Sequence, residues 1–106
     1  MLPASNTKNE FKKLETEDDL KTLKKACTDK AILVLFWAEW DESSQALKGM
    51  MEEMPNVYNS VRFAYVDCDE SDLVDTLDVD TVQTLVCLHP EGSEKKMDKY
   101  SGIKPE

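Results

Sequence analysis

Several things this sequence lacks narrow what it does before any motif is read. No apolar run is long enough to cross a membrane, and the polar start from Met1 to Glu10 has no signal-peptide core. Positive charge is in short supply: 13 lysines and arginines face 22 acidic residues, a formal charge of −9. Such a surface repels phosphate backbones and anionic lipid, so neither nucleic acid nor membrane is an expected partner. The three cysteines, Cys27, Cys68 and Cys87, are an odd number without C-x-x-C spacing, and His89 is the lone histidine. That excludes a zinc-ligand pattern and suits reduced thiols in a cytoplasmic or nuclear protein. Internal repeats and low-complexity linkers are also missing.

What is present is enough for one domain. A chain of 106 residues with 41% hydrophobic content supports a single globular core. Its organising stretch is Ala31 to Tyr58. The apolar run Ala31 to Trp37 reads as a buried strand. Six mostly polar residues follow, and then Leu47, Met50, Met51, Met54, Val57 and Tyr58 form the stripe of an amphipathic helix over 42–58. Pro55 lacks the amide proton a helix interior needs, which predicts a kink or break near Met54. A strand that feeds a helix through a short loop is the half-unit of an α/β sheet, where chemistry usually sits at that loop.

The remaining elements follow in order. Residues 1–9 are expected to be a flexible tail and 10–106 the folded domain. Glu10 to Leu14 reads as a short edge strand. Thr16 and Asp19 form a capping-box variant opening a helix over about 17–28, with Leu20, Leu23 and Cys27 inward. Val61 to Val66 alternates as a strand should. Ser71 is placed to cap a short helix whose inner side is Leu73, Val74 and Leu77. Thr84 to Leu88 is a second apolar strand, Pro90-Glu91-Gly92 a tight turn, and Lys95 to Tyr100 the returning hairpin strand. The expected order is β-α-β-α-β-α-β-β.

Phe36-Trp37-Ala38-Glu39-Trp40 resembles the thioredoxin superfamily, whose members run F-W-A-x-W-C-G-P-C-K into a helix. The resemblance continues through Val61 to Asp67, Val79 to Leu85 and the Pro-Glu-Gly turn, covering about residues 10–106. It implies a thioredoxin-like α/β fold, a central mixed sheet flanked by helices. The family's closing helix after the glycine matching Gly102 is expected to be missing or truncated. Asp41, Glu42, Ser43, Ser44 and Gln45 stand where C-G-P-C-K would be. Val82-Gln83-Thr84 replaces the family's I-P-T and its cis-proline. Leu35 holds the place of the family's buried acid. A cis bond before a non-proline residue costs ~2.5–4 kcal/mol, which predicts a trans peptide at Gln83.

These replacements predict a redox-inactive domain with no catalytic residue, because thiol–disulfide exchange needs an attacking thiolate and a second, resolving thiol. Asp41 is read either as a structural N-cap or, with Trp40 and Ser44, as part of a contact patch. The positions matching the redox loop, and so the candidate partner contacts, are Trp40, Asp41, Glu42, Ser43, Ser44 and Gln83. Trp37 is expected in the core and Trp40 at the loop rim. The three cysteines are expected to behave as small buried hydrophobes, Cys68 with its pKa raised by Asp67, Asp69 and Glu70. The 1-3-5 spacing of Asp67, Asp69 and Ser71 matches a calcium loop, but Asp72 and Asp78 break that pattern, which leaves a solvated acidic face.

Among thioredoxin-like groups, the chain is most similar to the N-terminal domain of multidomain monothiol glutaredoxins, through its degenerate W-A-x-W loop and Ser101-Gly102-Ile103-Lys104-Pro105. That resemblance implies a protein-interaction or targeting module in redox and iron–sulfur homeostasis, itself without cofactor or metal. A following glutaredoxin domain would bind glutathione and an iron–sulfur cluster, and dimerisation would run through the full-length protein. The alternatives are a thioredoxin-family oxidoreductase using a non-standard thiol, and an adaptor of the phosducin-like or splicing-associated kind.

Overall fold

The computed structural model describes residues 11–26, 29–58, 60–79, 82–90 and 97–101. Five strands and three α-helices alternate along it: β1 (Phe11–Lys13), α1 (Glu17–Ala26), β2 (Ala31–Trp37), α2 (Glu42–Met51), β3 (Val61–Asp67), α3 (Leu73–Thr76), β4 (Thr84–Leu88) and β5 (Met97–Ser101). The element order is the expected one. In space the strands lie in the order β1-β3-β2-β4-β5, which puts the most apolar strand, β2, at the centre. β2 and β3 run parallel in register from Ala31 opposite Val61 to Trp37 opposite Asp67. β1 joins β3 in parallel, while β4 pairs antiparallel to β2 and β5 antiparallel to β4.

The sheet separates two cores. On one face Ile32, Val34, Phe36, Ala64, Val66, Val86 and Leu88 pack with Leu14, with Leu20 of α1 and with Leu73 of α3. On the other, Leu35 and Phe63 pack beneath Leu47 and Met51 of α2. Period-two alternation along β2 sorts its side chains between these faces, and both neighbours of β2 continue the sorting. Leu35 is fully buried in the α2-side core, a contribution of roughly 1.5–3 kcal/mol.

Four boundaries differ from expectation. The helix expected over 42–58 ends at Met51, where Glu53 N–H bonds back three residues to Met50 and tightens the chain. A separate 3₁₀ turn, Met54–Asn56, then uses Pro55 in its first positions, where a missing amide proton costs nothing. Strand β3 extends one residue to Asp67, because the parallel register holds to the end of β2. β1 is shorter than predicted: its ladder stops at Lys13, although Leu14 N–H still bonds the Tyr65 carbonyl at 2.9 Å. β5 (Met97–Ser101) runs one residue past the expected end at Tyr100, and Lys95 and Lys96 lie outside the described residues. The tail (1–9), Glu10, the last turn expected of α1 with Cys27, the turn at Glu91-Gly92, and Gly102 to Glu106 lie outside the described residues.

The cap of α1 forms as the sequence implies. Asp19 N–H donates to Thr16 Oγ1 at 3.1 Å while Asp19 Oδ2 accepts from the amides of Glu15 and Thr16, a reciprocal capping box. Those bonds hold the Asp19 carboxyl below its ordinary pKa. Ser71 Oγ accepts from Leu73 N–H at 3.1 Å and donates to the Glu15 carbonyl at 2.8 Å. Ser71 thus sits one residue before the N-cap of α3, Asp72, rather than at it, and its hydroxyl ties the first amide of α3 to the start of α1.

Candidate functional site

The parallel strands β2 and β3 end side by side, and both following loops emerge at that end of the sheet. The first runs from Ala38 to Asp41. Asp41 N–H bonds the Ala38 carbonyl at 3.1 Å and closes the turn, and Gln45 N–H then bonds the Asp41 carbonyl at 3.0 Å to begin α2. Asp41 itself is extended, with φ −105° and ψ 108°, and its Oδ2 accepts from Ser44 N–H at 3.0 Å. This is N-cap geometry, a carboxylate meeting free amides at the positive end of a helix, at about 0.5–2 kcal/mol. Asp41 is thus an N-cap, as its structural reading expected.

Ser44 is fully buried, so it is not part of an exposed contact patch. Its Oγ accepts from Ala38 N–H at 3.2 Å and lies 3.1 and 3.0 Å from the carbonyls of Ala38 and Asp41. The hydroxyl pins the end of β2 to the first turn of α2, giving the Ala38 amide an acceptor and adding a contact to two carbonyls that already accept from the Asp41 and Gln45 amides. Gln83 is also buried, at 7% exposure. It sits just before β4 with φ +62°, and its N–H bonds the Phe36 carbonyl at 2.9 Å. The described peptides are all trans, as expected at Gln83. The left-handed backbone costs a glutamine about 1 kcal/mol, carried here by the anchor to β2.

Four of the six candidate contacts remain accessible. Glu42 and Ser43 are exposed in the first turn of α2, Asp41 is half-buried, and Trp40 stands 67% exposed. Trp40 Nε1–H donates to Asp69 Oδ2 at 2.9 Å, which joins the first loop to the second. Gln45 donates its side-chain amide to the Glu39 carbonyl and braces the same turn. Trp37 is half-buried against the α2-side core. Lys48 Nζ lies 4.8 Å from its ring centroid and 4.7 Å from that of Tyr65, while its ammonium also pairs with Glu52 at 3.3 Å.

The second loop holds a thiol. Cys68 N–H bonds the Trp37 carbonyl at 2.9 Å, so this half-buried residue lies directly beside the first loop. Burial, then the carboxylates of Asp67 and Asp69, push its pKa up to about 11. The direction is the expected one, but burial is the leading cause. Glu70, expected to add to the effect, is instead drawn to Lys13 at 3.1 Å. Cys87 on β4 is half-buried as well, and burial followed by Asp98 raises its pKa. Asp67 Oδ1 accepts from Asp69 N–H at 2.9 Å, so part of the acidic run is used in folding its own loop. Among the described residues, no group of three or more histidine, cysteine or acidic side chains is placed to hold a metal.

Sequence reading missed three participants. Lys48 stands one turn after Ser44 and its spacing put it on the right face, but only the strand register shows which rings it covers. Asp69 looked like one acid among many. The bridge from Ser71 to Glu15 spans 56 residues and left no local signal.

The thioredoxin family model matches residues 8–106. The chain belongs to the thioredoxin family. Its fold is that of solved thioredoxins: the Fasciola hepatica thioredoxin shares 25% identity over 86% of each chain, with a TM-score of 0.76. Spinach chloroplast thioredoxin f, at 19% identity, covers 90% of this chain and is covered over 83% of its own, with a TM-score of 0.75. A thioredoxin f2 solved in complex with ferredoxin:thioredoxin reductase gives 20% identity, 91% and 86% coverage, and a TM-score of 0.75. No curated protein matches the sequence. In the present chain, no helix among the described residues is long and apolar enough to cross a membrane.

Proposed function

We infer that this thioredoxin domain is a redox-inactive interaction and targeting module. One observation carries the reading: Asp41 and Ser44, the residues that stand where the family's thiols would be, are the N-cap of α2 and a buried pin between α2 and β2. Neither a carboxylate nor a hydroxyl forms or breaks a sulfur–sulfur bond. Leu35 supplies no proton acceptor beneath the loop, being wholly enclosed by apolar neighbours. The parent is inferred to be a monothiol glutaredoxin-type protein of the cytoplasm or nucleus, on the strength of the W-A-x-W loop and Ser101 to Pro105. In that setting glutathione and the iron–sulfur cluster belong to a glutaredoxin domain, and this domain positions its partners or supports dimerisation.

The alternative is a disulfide oxidoreductase working through another thiol. Cys68 is the group to weigh, since its amide is bonded to the end of β2 beside the loop. A pKa of about 11 leaves it almost wholly protonated at neutral pH, the opposite of an attacking thiol. Insulin reduction driven by dithiothreitol separates the two readings. The module reading expects precipitation no faster than dithiothreitol alone; acceleration that disappears when one cysteine is alkylated would establish the oxidoreductase.

A further inference from the structure

We propose that Trp40 and the carboxylates around it form a docking platform for an arginine- or lysine-rich segment of a protein partner. The inference rests on the reading of this domain as an interaction module and names the chemistry of what it binds. Trp40 is 67% exposed, yet its indole N–H is committed to Asp69. The bond fixes the ring in place and leaves its face to solvent, so little side-chain freedom remains to be lost on binding. An exposed, oriented tryptophan is a typical anchor for a partner side chain.

Charge decides which side chain. Glu39, Asp41 and Glu42 flank Trp40 along the chain, and Asp69 meets it from the neighbouring loop, its own amide held by Asp67. No lysine or arginine occurs from Ala38 to Leu47 or from Asp67 to Val79. Among the described residues, the lysines that contact neighbours of these loops are engaged elsewhere: Lys48 lies over Trp37 and Tyr65, and Lys13 pairs with Glu70 and Glu15. The platform therefore presents an aromatic face among carboxylates, with no basic residue in either loop. A guanidinium satisfies both, stacking on the indole while its N–H groups reach the carboxylates. The same carboxylates turn away nucleic acid and anionic lipid, which leaves a basic protein segment as the complement.

The test is fluorescence anisotropy with a fluorescein-labelled peptide of alternating arginine and glycine. Its neutral counterpart carries citrulline in place of arginine. The expected result is saturable binding of the arginine peptide, at least tenfold weaker binding of the citrulline peptide, and loss of affinity as salt is raised. Trp40→Ala should weaken arginine-peptide binding about fivefold and Asp69→Asn about twofold. Glu53→Lys, just beyond the far end of α2, should change it less than Asp69→Asn does. Circular dichroism of each variant verifies the fold, which an exposed residue such as Trp40 is not needed to maintain. Equal binding of the two peptides, unchanged affinity in Trp40→Ala, or no binding of the arginine peptide would each overturn the proposal. None of these results bears on insulin reduction, so a redox-active domain and a domain without a basic partner are told apart.

Discussion

Two loops leave the same end of the sheet, one after β2 and one after β3, and they divide between them what a reactive thiol needs. The β2–α2 loop has the electrostatics: a helix N-terminus with free amides, here occupied by Asp41. It has no sulfur. The β3–α3 loop has the sulfur, in Cys68, but surrounds it with burial and two carboxylates that keep its proton on. Each loop is also tied backbone to backbone by one buried serine, Ser44 in the first turn of α2 and Ser71 in the β3–α3 loop. Proximity of a cysteine to the family's reactive loop is thus a poor guide to reactivity. What matters is which of the two neighbouring electrostatic environments holds the thiol.

The largest effect comes from moving the sulfur across that divide. In Asp41→Cys, a thiol at the N-terminus of α2 should titrate near or below neutrality, whereas Cys68 titrates at about 11. The gain in thiolate outweighs the lower nucleophilicity of the more acidic thiol. Alkylation by iodoacetamide at pH 7, read by peptide mass spectrometry, should therefore be about a hundredfold faster at position 41 than at Cys68. Comparable rates would mean that the two loops do not differ as described.

The serines sharpen the comparison in stability. Ser44→Ala leaves the buried Ala38 N–H without its acceptor and should cost about 1–3 kcal/mol in denaturant unfolding. Ser71→Ala removes a buried bond to the Leu73 amide and a part-buried one to the Glu15 carbonyl, one backbone contact fewer than Ser44 makes, and should cost about 1 kcal/mol. A reversed order would show that the first loop is the less dependent on its serine. A smaller effect is expected for the bond between the loops. Trp40→Phe removes the donor to Asp69 at an exposed site, and unfolding should shift by about 0.5 kcal/mol.

The smallest effect lies away from both loops, at the start of α1. The Asp19 carboxyl is held below its ordinary value of 3.8 by the amides of Glu15 and Thr16. Its contribution is therefore present above that value and lost as pH falls through the lower, folded one. Asp19→Asn should make unfolding slightly less pH-dependent below about pH 4 while leaving the profile near neutrality unchanged. A change in slope at neutral pH would assign the effect to another group.

Much of this was legible from residue order alone. The period of β2 and the apolar stripe after it fixed the strand–loop–helix unit, and Thr16 with Asp19 announced α1, because those signals are local. The end of α2 was not legible: Met54, Val57 and Tyr58 continue the helical stripe, but the chain leaves the helix at Glu52 before Pro55 requires it. Ser44 was read as a surface contact because its type and neighbours are polar. Only the packing of α2 on the sheet shows its hydroxyl enclosed with Ala38. Gln83 was misplaced for the same reason, since its burial and positive φ come from the anchor to Phe36, distant in sequence.

The most direct test of the central claim is a single-turnover reaction of the reduced domain with an equimolar disulfide peptide at pH 7, quenched in acid and read by intact mass. The account predicts that mixed-disulfide adducts form no faster than with free glutathione at equal thiol concentration, and that no intramolecular disulfide accumulates. An adduct that outpaces glutathione at any cysteine, followed by release of reduced peptide, would contradict it.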